Sequence, residues 1–213
     1  MMTDLMKCHE AVQALGVDLL NLIDILAIGD IIPTAPDGLT GAEVWARNEE
    51  IRLSANDIDL IKVELRRRRF DDFRVEYADV YQPDPRPGYG GLQFGPGWTG
   101  ILVDYADGIR DLTKRGRPAW LRRGKEKFGA LRLYSDHMLS AESEVIQLHR
   151  IALQASLVTC QECGQPARLR FGHSICLTLC DRHAHIIGEP DPGRDGIILD
   201  VDAWAMKHGE DGE

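Results

Sequence analysis

The sequence CQECGQPARLRFGHSICLTLCDRH, residues 160–183, decides the fold of the C-terminal half of this chain. It contains two short ligand pairs, C-x2-C at Cys160 and Cys163 and C-x2-H at Cys180 and His183, separated by sixteen residues. Three thiolates and one imidazole at this spacing can close a tetrahedron around a zinc ion. Because four protein ligands leave no open position for water, we expect a structural zinc ion rather than a catalytic one.

Cys176 leaves the exact ligand set open, because it lies four residues before Cys180 and can replace one of the ligands. We expect Cys176 to pack beneath the metal, since C-x2-H gives the tighter pair. Gly164 directly follows the second cysteine and favours a tight turn at that position.

The residues between the two ligand pairs predict a β-hairpin. Residues 167–171 and 175–180 alternate in side-chain character around a turn at residues 172–174. Such a hairpin returns the chain so that Cys180 faces the first cysteine pair. Residues 158–187 are therefore interpreted as a zinc ribbon or a short finger-like ββα element.

The N-terminal part, residues 1–81, is predicted to be mainly helical. Apolar spacing and capping residues predict three helices, and a run that alternates between apolar and polar side chains predicts one strand. The helices span residues 3–28 with a break at Gly16, residues 40–51, and Ser54 to the arginine run 66–69, and the strand spans 73–81.

Residues 82–97 are rich in proline and glycine, which predicts a domain linker or an ordered functional loop. The following region, 98–203, is predicted to pack helices on a small sheet, and residues 204–213 form an acidic tail. Within region 98–203, the predicted helices span residues 98–112 and 140–157, and a predicted strand spans residues 128–134. The fold class is therefore α+β, ending in a zinc-stapled hairpin.

The charge of the chain is unevenly distributed. The net charge is −9, yet residues 65–135 contain 15 basic and 9 acidic side chains. This basic centre permits contact with phosphates or with an acidic protein surface, and it can equally neutralise the acidic ends internally. No apolar run approaches the roughly 20 residues of a membrane span, so we expect no membrane contact. The N-terminus lacks a basic segment followed by an apolar stretch, so we expect a cytosolic protein with reduced cysteines.

Residues 114–132 form the most basic block, with eight cations, one acid and interleaved aromatic residues. This composition suits an acidic protein partner, for which tryptophan and arginine are typical anchors, and it also suits nucleic acid. The alternative is a basic loop that leads into a buried strand. The predicted partner contacts are Arg117, Trp120, Arg122, Arg123, Lys125 and Lys127.

Several motifs resemble a group of small phage and prophage proteins. They are K-E-K-F-G-A-L-R-L-Y at residues 125–134, G-W at residues 97–98, and C-x2-C-G followed by T-L-C-x2-H at the metal element. The resemblance covers roughly residues 97–185 and leaves the role of residues 1–96 unassigned. It implies a phage or mobile-element setting rather than a particular activity.

Because small acidic phage proteins often inhibit host defence, the resemblance implies a non-catalytic protein in a bacterial host cytosol that binds and inhibits or adapts a host protein complex, such as a CRISPR defence system. The sequence contains no Walker loop and no G-x-S-x-G motif, so we do not expect an enzyme. Two alternatives stay open: a nucleic-acid-binding protein that uses residues 114–132, and a metal-dependent hydrolase.

Overall fold

The computed structural model describes residues 6–16, 22, 52–86 and 91–194. The chain forms two compact units, residues 1–65 and residues 66–213. Helices and small sheets occur together, so the predicted α+β class is confirmed. The predicted helix at 40–51 and the acidic tail at 204–213 lie outside the described residues. The predicted domain limits at 82–97 stay a prediction.

The first unit contains a two-stranded sheet and helical segments. Strand β1 (Met6–Lys7) pairs antiparallel with β2 (Arg52–Leu53), and helix α1 (Cys8–Leu15) follows β1. Gly16 ends α1 in the left-handed conformation, with φ of 64°, at the position of the predicted break. The helix predicted over residues 3–28 begins later than expected, because Met6–Lys7 form a strand, and residues 17–28 other than Leu22 lie outside the described residues. Among its described residues, a buried apolar cluster is formed by Ala11, Leu22, Leu53 and Ile61.

Helix α2 (Ala55–Glu76) begins where the sequence predicts it. The backbone N–H of Ser54 donates to Asp57 Oδ2 at 2.7 Å, and the N–H of Asp57 donates to Ser54 Oγ at 3.2 Å. These reciprocal bonds satisfy donors that a helix start leaves without a partner.

The predicted end of this helix at residues 66–69 and the predicted strand at 73–81 are both wrong. The helix continues through the arginine run to Glu76, and residues 77–80 form turns. Phe73 and Tyr77 are both buried and their rings stack at 4.7 Å, whereas the intervening Val75 is 83% exposed. The buried side chains thus recur every four residues, as in a helix, rather than every two.

The second unit contains a three-stranded sheet with the order β3–β4–β5. Strand β3 (Gly91–Gln93) pairs parallel with β4 (Ala119–Lys127), and β4 pairs antiparallel with β5 (Ala130–His137). The strand predicted at 128–134 is β5, which begins two residues later, at Ala130, whereas β4 was not predicted. A turn at Phe128 and Gly129, with φ of 56° and 76°, joins the two long strands.

Helices α3 (Thr99–Lys114) and α4 (Glu142–Ser156) supply most of the helical packing of this unit, and both were predicted. Helix α4 begins two residues later than expected, because Leu139–Ala141 form a 3-10 turn before it. The core combines side chains from α2, α3, α4 and the sheet; its largest fully buried members are Trp98, Phe73, Leu102, Ile109, Leu112, Leu121 and Leu131. No helix in the described part of the chain is long and apolar enough to cross a membrane.

Candidate metal centre

The predicted hairpin is confirmed. Strands β6 (Arg168–Phe171) and β7 (Cys176–Leu179) pair antiparallel, with Arg168 opposite Leu179 and Phe171 opposite Cys176. The end of β7 delivers Cys180 directly, and the N–H of His183 donates to the carbonyl oxygen of Cys180 at 3.2 Å. A 3-10 helix, Ala184–Ile187, follows in place of the α-helix of a ββα finger.

The hairpin brings the four predicted ligands together. The donor atoms of Cys160, Cys163, Cys180 and His183 all lie within 4.8 Å of one another. The Sγ atoms of Cys163 and Cys180 are 3.6 Å apart, and His183 Nδ1 lies 3.6 Å from Cys160 Sγ and 3.3 Å from Cys180 Sγ. A regular tetrahedron with Zn–S bonds of about 2.3 Å has edges of about 3.8 Å, so the cluster is nearly the size that one zinc ion requires.

Burial adds to the fit between this cluster and a metal ion. Cys160 and Cys163 are buried, and burial raises the pKa of the Cys163 thiol to about 12. Burial also lowers the pKa of His183, which keeps its imidazole neutral and able to coordinate. A cation in the cluster would displace the thiol protons and supply the charge that buried thiolates need. The buried cluster is compatible with a structural metal such as zinc.

Cys176 lies apart from the four-donor cluster. It packs against a small apolar group that includes Ala130, Leu153 and Phe171. Burial raises the pKa of its thiol, which disfavours the thiolate form. The position of Cys176 therefore favours packing over coordination.

Backbone hydrogen bonds shape residues 159–165, which we call the metal loop. Gly164 adopts φ of 69°, and its N–H donates to the carbonyl oxygen of Cys160 at 2.8 Å. The N–H of Cys160 donates to the carbonyl of Gln165 at 2.8 Å. Glycine is required at position 164 for two reasons. Its φ is left-handed, and a Cβ there would lie 2.9 Å from the carbonyl oxygen of Gly97.

Residues far away in the sequence hold the metal loop from outside. Arg66 Nη1 donates to the carbonyl oxygen of Cys163 at 2.6 Å. The N–H of Gly97 donates to the carbonyl of Gln161 at 2.7 Å, and Trp98 Nε1 donates to the carbonyl of Thr159 at 2.7 Å. None of these three contacts was predicted from the sequence, in which the arginine run indicates only the end of a helix.

The structure separates the predicted partner contacts into two groups. Arg117 forms an ion pair with Glu144, and Arg122 Nε pairs with Asp136 Oδ2 at 2.6 Å. Trp120, Arg123, Lys125 and Lys127 are partly exposed along β4. The role of these six residues in binding a partner stays a prediction.

No family model, curated protein or solved structure matches this chain. The resemblance to small phage and prophage proteins therefore stays a prediction, as do the absence of catalysis and the two alternatives to protein binding.

Proposed function

We propose that this chain is a non-catalytic protein that binds and inhibits or adapts a host protein complex. In this proposal a zinc ion holds the C-terminal region together, and the binding element is one face of the three-stranded sheet. We call this the basic face and define it by Arg123 and Lys125 of β4 with Tyr134 of β5. A phage or mobile-element origin belongs to the same proposal.

The observation that carries the proposal is a pair of cations without acidic partners. Within the described residues, neither Arg123 nor Lys125 forms an ion pair with a carboxylate, in contrast to Arg117 and Arg122. Both lie on the same side of β4, whose opposite side contributes Leu121 to the core. Among the described residues, these two neighbouring cations have no carboxylate to neutralise them, which supplies an electrostatic reason to dock a negatively charged surface.

The arrangement of the basic face favours carboxylates over stacked bases as the ligand. The guanidinium carbon of Arg123 lies 4.2 Å from the centroid of the Tyr134 ring, and Lys125 Nζ lies 5.5 Å from it. The cations therefore cover the ring face on which a base would stack. A stacked guanidinium keeps its N–H edge available, and that edge matches the geometry of a carboxylate.

The composition of the metal centre supports a binding role over hydrolysis. Cys160, Cys163, Cys180 and His183 provide four donors, which is a full shell for zinc. A hydrolytic zinc ion needs a position for water, and a fourth protein ligand fills that position.

A pull-down from bacterial lysate tests the proposal. The variant Arg123→Glu with Lys125→Glu is compared with the variant Lys114→Glu with Arg115→Glu, which makes the same change of charge at exposed positions in the same basic block. We expect the first variant to capture at least tenfold less partner protein and the second to match the wild type. Charge reversal at an interface costs several kcal/mol, and about 1.4 kcal/mol already corresponds to a tenfold loss of affinity. Equal capture by all three proteins would reject the basic face.

Nuclease treatment and a gel shift distinguish the kind of partner. Capture that survives nuclease supports a protein partner. Capture lost on nuclease treatment, together with a shift of single-stranded nucleic acid that weakens steeply with salt, would replace the proposal with the nucleic-acid alternative.

A further inference from the structure

Residues 91–98 touch both the metal loop and the basic face, and we call them the bridging segment. At one end, Gly97 and Trp98 donate hydrogen bonds to two carbonyl oxygens of the metal loop, each at 2.7 Å. Trp98 is fully buried, so its indole N–H has this carbonyl as its partner in place of water.

The backbone of the bridging segment lies so close to that of the metal loop that only glycine fits at positions 95 and 97. A Cβ at Gly97 would overlap the carbonyl oxygen of Cys160, and a Cβ at Gly95 would overlap that of Gln161. The bridging segment therefore lies directly against the backbone of the metal loop, and the position of one fixes the position of the other.

At its other end, the bridging segment forms strand β3. Gly91 lies opposite Arg123, and Gln93 lies opposite Lys125, in the parallel pairing with β4. Phe94 then passes under Gly124, where a Cβ would lie 2.7 Å from the ring of Phe94. One continuous segment therefore pairs with the strand of the two cations at one end and lies against the metal loop at the other.

Two of the four donors in the cluster, Cys160 and Cys163, belong to the metal loop itself. Removal of the cation would take away the coordinate bonds that hold three sulfur atoms and one imidazole nitrogen within 4.8 Å of one another, so these groups would relax away from tetrahedral spacing. Relaxation of Cys160 and Cys163 moves the carbonyl groups of the metal loop, and these carbonyls accept the hydrogen bonds of the bridging segment.

We propose that metal occupancy controls the basic face through the bridging segment. This inference rests on the proposed function, since it concerns the regulation of the same surface. The metal-bound state holds β3 beside β4 and keeps Arg123 and Lys125 in position. In the metal-free state the bridging segment detaches from the metal loop, the edge of the sheet loosens, and affinity for an acidic ligand falls.

Binding of a fluorescent poly-glutamate peptide to the full chain tests the coupling. The metal-loaded protein is expected to bind about tenfold more tightly than the chelator-stripped protein, a ratio typical of coupled sites. If loaded and stripped proteins bind equally, the coupling is rejected while the proposed function stands. If the loaded protein binds no better than the Arg123→Glu, Lys125→Glu variant, the proposed function itself fails.

A pair of glycine variants separates the coupling from the metal itself. Gly97→Ala places a Cβ against the metal loop but leaves all four ligands intact, whereas Gly100→Ala places one in open space. We expect both to retain stoichiometric zinc and only Gly97→Ala to bind poly-glutamate as weakly as the stripped wild type. Unchanged affinity in a folded, zinc-loaded Gly97→Ala protein would overturn the proposal.

Trp98→Phe and hydrogen exchange keep the test decisive if Gly97→Ala does not fold. Trp98→Phe removes the indole N–H that donates to the metal loop, and it should also lower affinity for poly-glutamate. On metal removal, amides of residues 91–93 and 123–125 should exchange faster, whereas those in the middle of α3 stay protected. Unchanged exchange at 91–93, or loss of protection throughout α3, would contradict a path through the bridging segment.

Discussion

His149 gives the sharpest prediction about the stability of the second unit. Its Nε2 lies 2.8 Å from the hydroxyl oxygen of Tyr105, which is also 2.7 Å from Ser135 Oγ, and the two rings stack at 5.3 Å. Burial, assisted by the neighbouring His137, lowers the pKa of His149 to about 4 from an ordinary 6.5. The imidazole is therefore neutral in the folded protein, where its Nε2 shares a hydrogen bond with the Tyr105 hydroxyl.

The sign and size of the effect follow from this depressed pKa. Between pH 6.5 and 4 the unfolded chain binds a proton at His149 that the folded chain does not, so the free energy of unfolding decreases as the pH falls through this window. Above pH 6.5 the neutral imidazole of His149 makes its full contribution to the free energy of unfolding. A pKa difference between 6.5 and about 4 corresponds to about 3 kcal/mol in total, of which about 2 kcal/mol is lost at pH 5.

Urea unfolding at pH 7.5 and pH 5 measures this loss. Because acid also affects metal binding, the relevant quantity is the difference in pH dependence between the wild type and His149→Gln, which does not titrate in this range. The wild type should lose about 2 kcal/mol more than His149→Gln, while the exposed control His173→Gln should behave as the wild type. An equal loss in the wild type and His149→Gln would refute a buried neutral imidazole.

Two further predictions concern backbone geometry and the surroundings of the metal. Gly129→Ala should lower the free energy of unfolding by about 1–3 kcal/mol more than Gly116→Ala. Both glycines have φ near 75°, but only at Gly129 does an added Cβ overlap a leucine side chain. Equal losses of stability in urea unfolding would contradict this prediction. Arg66→Gln should weaken zinc affinity about tenfold, measured by competition with a chromophoric chelator. The reason is that the Arg66 guanidinium donates a hydrogen bond to the metal loop and its positive charge stabilises the negative charge of a zinc site with three thiolates. Arg69→Gln, at an exposed position on the same helix, should leave the affinity unchanged, and equal affinities for both variants would count against this role of Arg66.

The sequence predicted the metal cluster and its hairpin because both depend on local spacing. Two ligand pairs joined by sixteen residues that alternate around Gly172 carry nearly all the information needed to place four donor atoms together. Helices α3 and α4 were predictable for the same reason, since their apolar spacing lies within single segments.

Strand β4 was not predicted because its apolar and polar side chains do not alternate regularly. A bulge between Leu121 and Arg123 shifts the alternation by one residue, and Gly124 occupies an inward position where an apolar side chain would be expected. The remaining outward positions are cationic, so the strand has the composition of a solvated loop. The continuation of α2 was missed similarly, because four arginines in succession hid the helical spacing of Phe73 and Tyr77.

The contacts that hold the metal loop could not be predicted from one sequence. Arg66 reaches a carbonyl group 97 residues further along the chain, and Trp98 reaches one 61 residues further. Both hydrogen bonds are accepted by backbone carbonyl groups, which every residue has, so the residue types in the metal loop do not indicate these contacts. The close approach of Gly97 depends on the absence of a side chain, and in a segment with many glycines nothing marks that position.

The zinc content of the purified chain tests the central claim most directly. Elemental analysis should find one zinc ion per chain in the wild type, none in Cys163→Ser, and one in Cys176→Ser, because Cys163 belongs to the four-donor cluster and Cys176 lies outside it. A wild-type chain without stoichiometric zinc, or a Cys163→Ser chain that retains it, would contradict a closed metal centre formed by Cys160, Cys163, Cys180 and His183.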